Sequence, residues 1–243
     1  MYQHDVHHHT MAVTFLEADA RFFYKILDHQ HETELRLLQR GKYPICKIVK
    51  DEDRFIEVCR NWSGRRNLYA VLRERQPGLR KSATMFDIVA VQILVLDIDP
   101  IRAPETPATE DELSHAIEVG HHIADWFERS GYKRPLLAIT GNGVCLYFRI
   151  PRWQVTDTNR YAVTDTLQRF ESWSRQQFRT VLTKHNCQID SMYDLPRIGR
   201  VIGTLNIKGE PTPTRPWRLA KWLTKHPPVE DAELFKWLQS LKS

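Results

Sequence analysis

The stretch Ile93-Leu94-Val95-Leu96-Asp97-Ile98-Asp99-Pro100 constrains this chain more than any other part of it. Four apolar residues followed by an acid–apolar–acid triplet read as a buried strand whose end turns acidic. Side chains alternate along a strand, so Asp97 and Asp99 share a face while Leu96 and Ile98 point the other way. At about 3.3 Å per residue their Cα atoms lie roughly 6.6 Å apart. Two carboxylates so placed can bracket a pair of Mg²⁺ or Mn²⁺ ions about 3.5–4 Å apart, because hard oxygen donors suit those ions. The plain alternative is a strand that simply ends in acidic loop residues. Against it, unpaired carboxylates just after a buried apolar run are costly unless something compensates them.

Around this strand the periodicity alternates irregularly between helix and strand. Residues 15–29 place Phe15, Ala18, Phe22, Ile26 and Leu27 near helical spacing, and 32–40 read as a second helix stopped at Gly41. Strands are predicted at 45–49, 68–72 and 91–99, with an amphipathic helical segment at 54–62. After a proline-bearing loop, Thr109 and Glu112 have the spacing of a capping box. The helix they open has an apolar face from Leu113 to Phe127 and stops at Gly131. Segments 136–140 and 144–150, joined by Gly141-Asn142-Gly143, read as a hairpin. A long helix is predicted over 159–184 and a last one over 231–241. At least one antiparallel hairpin among irregularly alternating elements predicts an α+β sheet domain rather than a doubly wound parallel fold. The chain is read as one unit over 1–243. Its first 12 residues, with His4 and His7 to His9, are read as a flexible tail without function.

A 243-residue chain that is 42% hydrophobic has enough apolar material for an enzyme-sized core. Its net charge of +5 permits a polyanionic partner without requiring one. Between Phe178 and His226 nine basic residues face only Asp190, Asp194 and Glu210, and Trp217 and Trp222 lie among them. Interleaved aromatics favour a nucleic-acid-facing surface over a merely solvated basic one. Cys46, Cys59, Cys145 and Cys187 form no C-x-x-C pair, which argues against a disulfide framework or a zinc ribbon and for a cytoplasmic protein. No apolar run approaches the ~18 residues of a membrane span, so no membrane association is expected.

A D-x-D strand is not specific by itself, since haloacid-dehalogenase phosphatases also open with one. Thr140, Lys184 and the pair Asp190 and Asp194 could supply that family's other elements. However, Thr140 leads into a hairpin turn rather than a helix. The phosphatase reading also leaves unexplained the stretch Arg197-Ile198-Gly199-Arg200-Val201-Ile202-Gly203-Thr204-Leu205-Asn206-Ile207-Lys208. Taken in order, Asp97-x-Asp99, the Gly141-Asn142-Gly143 hairpin, and an Asp followed by R-x-x-R-x-x-G-T-x-N-x-K resemble the archaeo-eukaryotic primase superfamily. The likeness is closest to the primase-polymerases of plasmids, phages and mobile elements. Asn67-Leu68-Tyr69, with Arg75 beyond, resembles that family's upstream segment, so the likeness covers about 67–208.

The resemblance implies an N-terminal α/β lobe joined to an RRM-like lobe, with the acidic site in the cleft between. It implies Asp97, Asp99 and Asp190 as ligands of two Mg²⁺ or Mn²⁺ ions, Asp194 being the less favoured third carboxylate. Arg197, Arg200 and Lys208 would meet phosphates of a nucleotide or nucleic acid, with Asn142 and Cys145 beside them on the hairpin. One or other arginine could instead pair with Asp190 or Asp194. The family's hairpin normally carries a histidine where this chain has Cys145, and a thiol supplies no cation. Arg149, two residues further along the face of Cys145 and Tyr147, is the sequence's candidate replacement. The implied activity is template-directed nucleotidyl transfer on single-stranded DNA with a primer and nucleoside triphosphates. A primase-fold module that binds nucleic acid without making bonds is the alternative. Nothing in the chain resembles a helicase motif, so a helicase partner would sit on a separate chain.

Overall fold

In chain order the elements are α1 (Glu17–Leu27), β1 (Thr33–Leu38), β2 (Ile45–Val49), α2 (Glu52–Trp62), β3 (Asn67–Val71), β4 (Glu74–Arg75), β5 (Ile88–Pro100), α3 (Glu110–Arg129), β6 (Leu136–Ile139), β7 (Val144–Gln154), α4 (Arg160–Gln177), α5 (Arg179–Lys184), β8 (Cys187–Asp190), β9 (Ile198–Arg200), β10 (Leu205–Asn206), β11 (Arg218–Leu219), β12 (Lys221–Trp222) and α6 (Ala232–Ser240). They come from a computed structural model that describes residues 13–241. The N-terminal histidines therefore lie outside the described residues. The architecture is α+β, as expected from the irregular order of elements.

The larger sheet has the order β12-β6-β7-β5-β4, with β8 added to β5. Strand β5 is 13 residues long, enough for two short strands on the edge opposite β7. β4 pairs with its start at Ile88 and Ala90, and β8 with its end from Asp97 to Pro100. A smaller antiparallel sheet, β2-β1-β3-β9, forms the second lobe with α1 and α2.

The period-2 alternation of β5 divides its side chains between two cores. Leu94, Leu96 and Ile98 enter a core formed with α3, α4, α5 and α6, where Phe127 meets Phe148 at 4.7 Å between ring centroids. Ile93 and Val95 face the other way, into a core shared with α1, α2 and the smaller sheet. Asp97 and Asp99 continue this second row just where the chain's apolar cover ends. The acidic pair is thus aimed at the junction of the two lobes.

The capping box that opens α3 is formed in both directions: Thr109 Oγ1 accepts from Glu112 N at 3.1 Å, and Glu112 Oε2 from Thr109 N at 2.8 Å. The predicted hairpin is β6 and β7, antiparallel, with Ile139 opposite Val144. Two predicted elements are corrected. The segment read as a helix over 32–40 is strand β1, at the centre of the smaller sheet. Its Glu, Leu and Arg residues favour helix locally, but pairing on both edges and burial of Leu35 and Leu37 outweigh that preference. The long helix over 159–184 is two helices, divided at Phe178. The Phe178 ring at this division is buried among Trp126, Phe127 and Trp173. Among the described residues, no helix is long and apolar enough to cross a membrane.

Candidate active site

Asp97 lies directly opposite Cys145 on β7 and directly opposite Asp190 on β8. Opposed residues of antiparallel strands have Cα atoms about 4.5–5.5 Å apart, so one strand position brings Asp190 across 93 residues of chain to Asp97. Asp99, two residues on, shares the face. All three carboxylates line one cavity of about 290 Å³, walled on the far side by Tyr69, Arg197 and Arg200 of the smaller sheet and the turn before it. Burial, then the charge of Asp99, holds the Asp97 carboxyl well above the ordinary carboxylate range, at about 7, and Asp190 adds to the rise. Burial also raises Asp99, against the pull of Arg102 at 3.7 Å.

Strand β8 is short, and α4 holds it in place. Glu171, buried in α4, accepts hydrogen bonds from Met192 N and from Arg175 Nη2. Arg175 Nε donates in turn to Ile189 O at 3.0 Å. This clamp fixes the backbone on both sides of Asp190. Sequence reading missed it, because i and i+4 partners on a helix show nothing of the strand they grip.

The hairpin supplies the floor. Gly141 takes a left-handed φ of 99°, and a Cβ there would meet Asn206 Cβ at 2.6 Å. Gly143 answers to a different constraint: a Cβ on it would lie 2.3 Å from both Asp99 Oδ1 and Ile98 O. This glycine lets the turn close directly on the acidic strand. Asn142 is buried and accepts from Ala108 N at 2.9 Å, tying the turn to the start of α3. Cys145 is buried too, and its thiol donates to Asp97 Oδ1 at 3.1 Å. Burial and the neighbouring Asp97 charge push the thiol far up its scale, so Cys145 stays neutral and acts as a donor.

The candidate cations are divided among several roles. Arg200 is buried and lies over the Tyr69 ring at 4.5 Å, with Nη1 donating to Asn67 Oδ1 at 3.0 Å and Nη2 to the Tyr69 hydroxyl at 2.7 Å. Neutral partners hold its geometry and leave its charge to the cavity. Arg197 lines the same space but also pairs with Asp194, Nε to Oδ1 at 2.6 Å. Lys208 stands at the mouth, 3.8 Å from Glu105. Arg102, which sequence reading left in the proline loop, faces the carboxylates as well.

Arg149 does not take the place proposed for it. It shares the face of Cys145, but the pleat carries it four residues up β7, where it pairs with Asp28 outside the cavity. Arg149→Ala is expected to leave nucleotide affinity unchanged within about twofold by equilibrium titration. Trp222 is likewise not a surface residue. It is buried, with its backbone N–H and its indole N–H both donating to Asp19. The basic run around it is largely neutralised internally: Arg215 forks onto Glu112, Arg218 meets Glu110, and Lys225 meets Asp19.

Among the described residues, no three His, Cys, Asp or Glu side chains converge as a ready-made metal-ligand set. Asp97 engages one oxygen with the Cys145 thiol, and Asp190 one with Gln188 Nε2 at 2.8 Å. The donor chemistry nonetheless fits hard divalent cations. The candidate ligands are carboxylate oxygens in one cavity, and burial, with the neighbouring carboxylates adding to it, raises the proton affinity of Asp97 and Asp99.

No protein-family profile matches the sequence, and no curated protein matches it. Solved structures do resemble it in fold. The crystal structure of primase RepB' superposes with a TM-score of 0.52 at 9% identity over 93% of this chain, which spans 61% of that one. The catalytic domain of the same primase, solved in complex with initiator DNA, gives 0.52 and 9%, covering 93% of this chain and 92% of the domain. The polymerase domain of Mycobacterium tuberculosis Ligase D, in complex with DNA, gives 0.47 and 11%, with 93% and 86% covered. In fold, then, this α+β chain is similar to the catalytic domain of primase RepB'.

Proposed function

We propose that this chain catalyses template-directed nucleotidyl transfer on DNA. The observation that carries the reading is that Asp97, Asp99 and Asp190 line one cleft, opposite an Arg200 held in place by Asn67 and Tyr69. Asp97, Asp99 and Asp190 would hold two Mg²⁺ or Mn²⁺ ions, which when bound activate the attacking 3′-hydroxyl and neutralise charge on the triphosphate. The protein's own part is positioning. Arg200 presents a cation that need not reorganise when a phosphate arrives, and Arg197 and Lys208 add charge at the entrance. Gly143 lets the hairpin floor approach Asp99, and the α4 clamp keeps Asp190 opposite Asp97. The neighbouring primase domain was solved with initiator DNA, which supports DNA as the partner.

The thiol of Cys145 favours a second reading. It occupies an oxygen of Asp97 and brings no cation to the cleft, as suits a primase fold kept for binding alone. Nucleotide incorporation on single-stranded DNA, with and without primer, in Mg²⁺ and in Mn²⁺, separates the two. Template-dependent products that vanish in the Asp97→Ala, Asp99→Ala double variant establish a polymerase, and unprimed products make it a primase. DNA binding without any product establishes the binding module.

A further inference from the structure

Beyond Lys208 and Tyr69 the acidic cleft opens into a groove that the chemistry above does not use. Its two parts measure about 300 and 470 Å³ and share Gln39, Arg40, Asn67, Glu105 and Lys208. One wall is the β1–β2 turn, with Arg40, Lys42 and Pro44; the other carries Ile207, Gly209, Glu210 and Trp217. Lys208 lines the cleft and both parts of the groove, so the groove adjoins the acidic cleft at that side chain.

Two exposed aromatic rings stand by this groove: Trp217 lines one wall, and Tyr43 sits on the turn that carries the other, between the lining residues Lys42 and Pro44. Trp217 is 38% exposed, and its indole N–H donates to Gly209 O at 2.9 Å, which sets the plane of the ring. Tyr43, between Lys42 and Pro44, is 93% exposed, more than any other large hydrophobic side chain described. Its carbonyl accepts from Arg66 Nη1 at 2.7 Å, which pins the turn although the ring is bare. Exposing two aromatics in this way gains nothing for folding. The turn cations differ from the basic run near the C-terminus, which is mostly paired. Among the described residues, Lys208 is 3.8 Å from Glu105, and neither Arg40 nor Lys42 forms an ion pair.

From this we infer that the groove holds single-stranded nucleic acid where it leaves the catalytic cleft. Arg40, Lys42 and Lys208 would meet its phosphates, and Tyr43 and Trp217 would stack on its bases. Unpaired bases offer free π faces to such rings, whereas a duplex keeps its faces stacked inside. Glu105 and Glu210 line the same groove, so anion binding rests on the turn and on Lys208 rather than on a uniformly basic surface. The assignment rests on the polymerase reading only for the identity of the strand as template; the binding itself does not need catalysis.

The test is binding of a fluorescein-labelled oligothymidylate to the whole chain, followed by anisotropy over a series of salt concentrations. Tyr43→Ala is expected to weaken binding about tenfold, the loss of one stacked base. The Arg40→Ala, Lys42→Ala double variant is expected to flatten the log–log salt slope by roughly 1–1.5, two phosphate contacts on a single strand. Trp217→Ala should resemble Tyr43→Ala. If that variant loses its fold, the other two decide, because they change only exposed side chains of the turn. Unchanged affinity and slope in both turn variants overturn the proposal. Equal weakening for a blunt duplex, or for a free nucleoside triphosphate, also overturns it and assigns the groove to that ligand. Incorporation by wild type with unaltered oligonucleotide binding in the variants would sink this surface and keep the polymerase reading. Weakened binding without incorporation by wild type would do the reverse.

Discussion

Asp97→Asn is expected to stabilise the protein in the absence of divalent ions while removing at least about a thousandfold of its incorporation activity. The stability gain follows from the environment of the carboxylate. Burial and the neighbouring Asp99 raise its pKa to about 7 in the folded state, above the ordinary carboxylate range that it has when unfolded. The folded state therefore binds the proton more tightly. Between about pH 4 and pH 7 the metal-free protein loses stability as pH rises, because the unfolded chain releases that proton first. At pH 8 the charge sits in the cleft at a cost of about 1–3 kcal/mol, discounted for partial solvent access. Asparagine removes that cost, for a gain in Tm of about 3–8 °C in a protein of this size. Thermal melts in chelator should show the gap between wild type and variant widening from pH 4 to pH 7 and then levelling. Added Mn²⁺ should raise the Tm of wild type more than that of the variant. Equal melting at pH 8 would mean that the Asp97 carboxylate is well solvated and carries no penalty.

Gly143→Ala is expected to lower stability by about 1–3 kcal/mol and incorporation by at least about a hundredfold. A Cβ there falls 2.3 Å from Asp99 Oδ1 and from Ile98 O. Neither neighbour can yield cheaply: one is the backbone of the central strand and the other a candidate metal ligand. The hairpin must lift or Asp99 must turn, and either displaces a carboxylate of the site. Gly131→Ala is the informative control. Gly131 also follows an element end, with a left-handed φ of 90°, but nothing lies within 4 Å of its Cβ position. Only the backbone strain of about 1–2 kcal/mol should appear there, with activity retained. Urea denaturation and incorporation measured on both variants would separate crowding at the acidic strand from ordinary glycine geometry.

The acidic strand was legible in the residues themselves. Alternation along a strand obliges Asp97 and Asp99 to share a face, whatever packs around them, and β5 shows them doing so. The capping box of α3 and the β6–β7 hairpin were legible for the same reason, since both are set by side chains a few residues apart. By contrast, the assignment of β1 failed because helix propensity is local, whereas its two flanking strands come from elsewhere in the chain. The chain's own pattern pointed to Asp190 only through resemblance; its place opposite Asp97 is a register between strands far apart in sequence. Arg149 shows the converse. It lies on the expected face, yet the length of β7 carries it to Asp28 and away from the cavity. Trp222 and the paired arginines near the C-terminus likewise read as a basic aromatic surface until their acidic partners on α1 and α3 were placed beside them. By itself the sequence determined what short-range geometry enforces: which faces are acidic, where turns close and where helices begin. Only the tertiary structure decided which charges remain free and which carboxylates meet, because those outcomes depend on contacts between segments whose separation along the chain carries no trace of their distance in space.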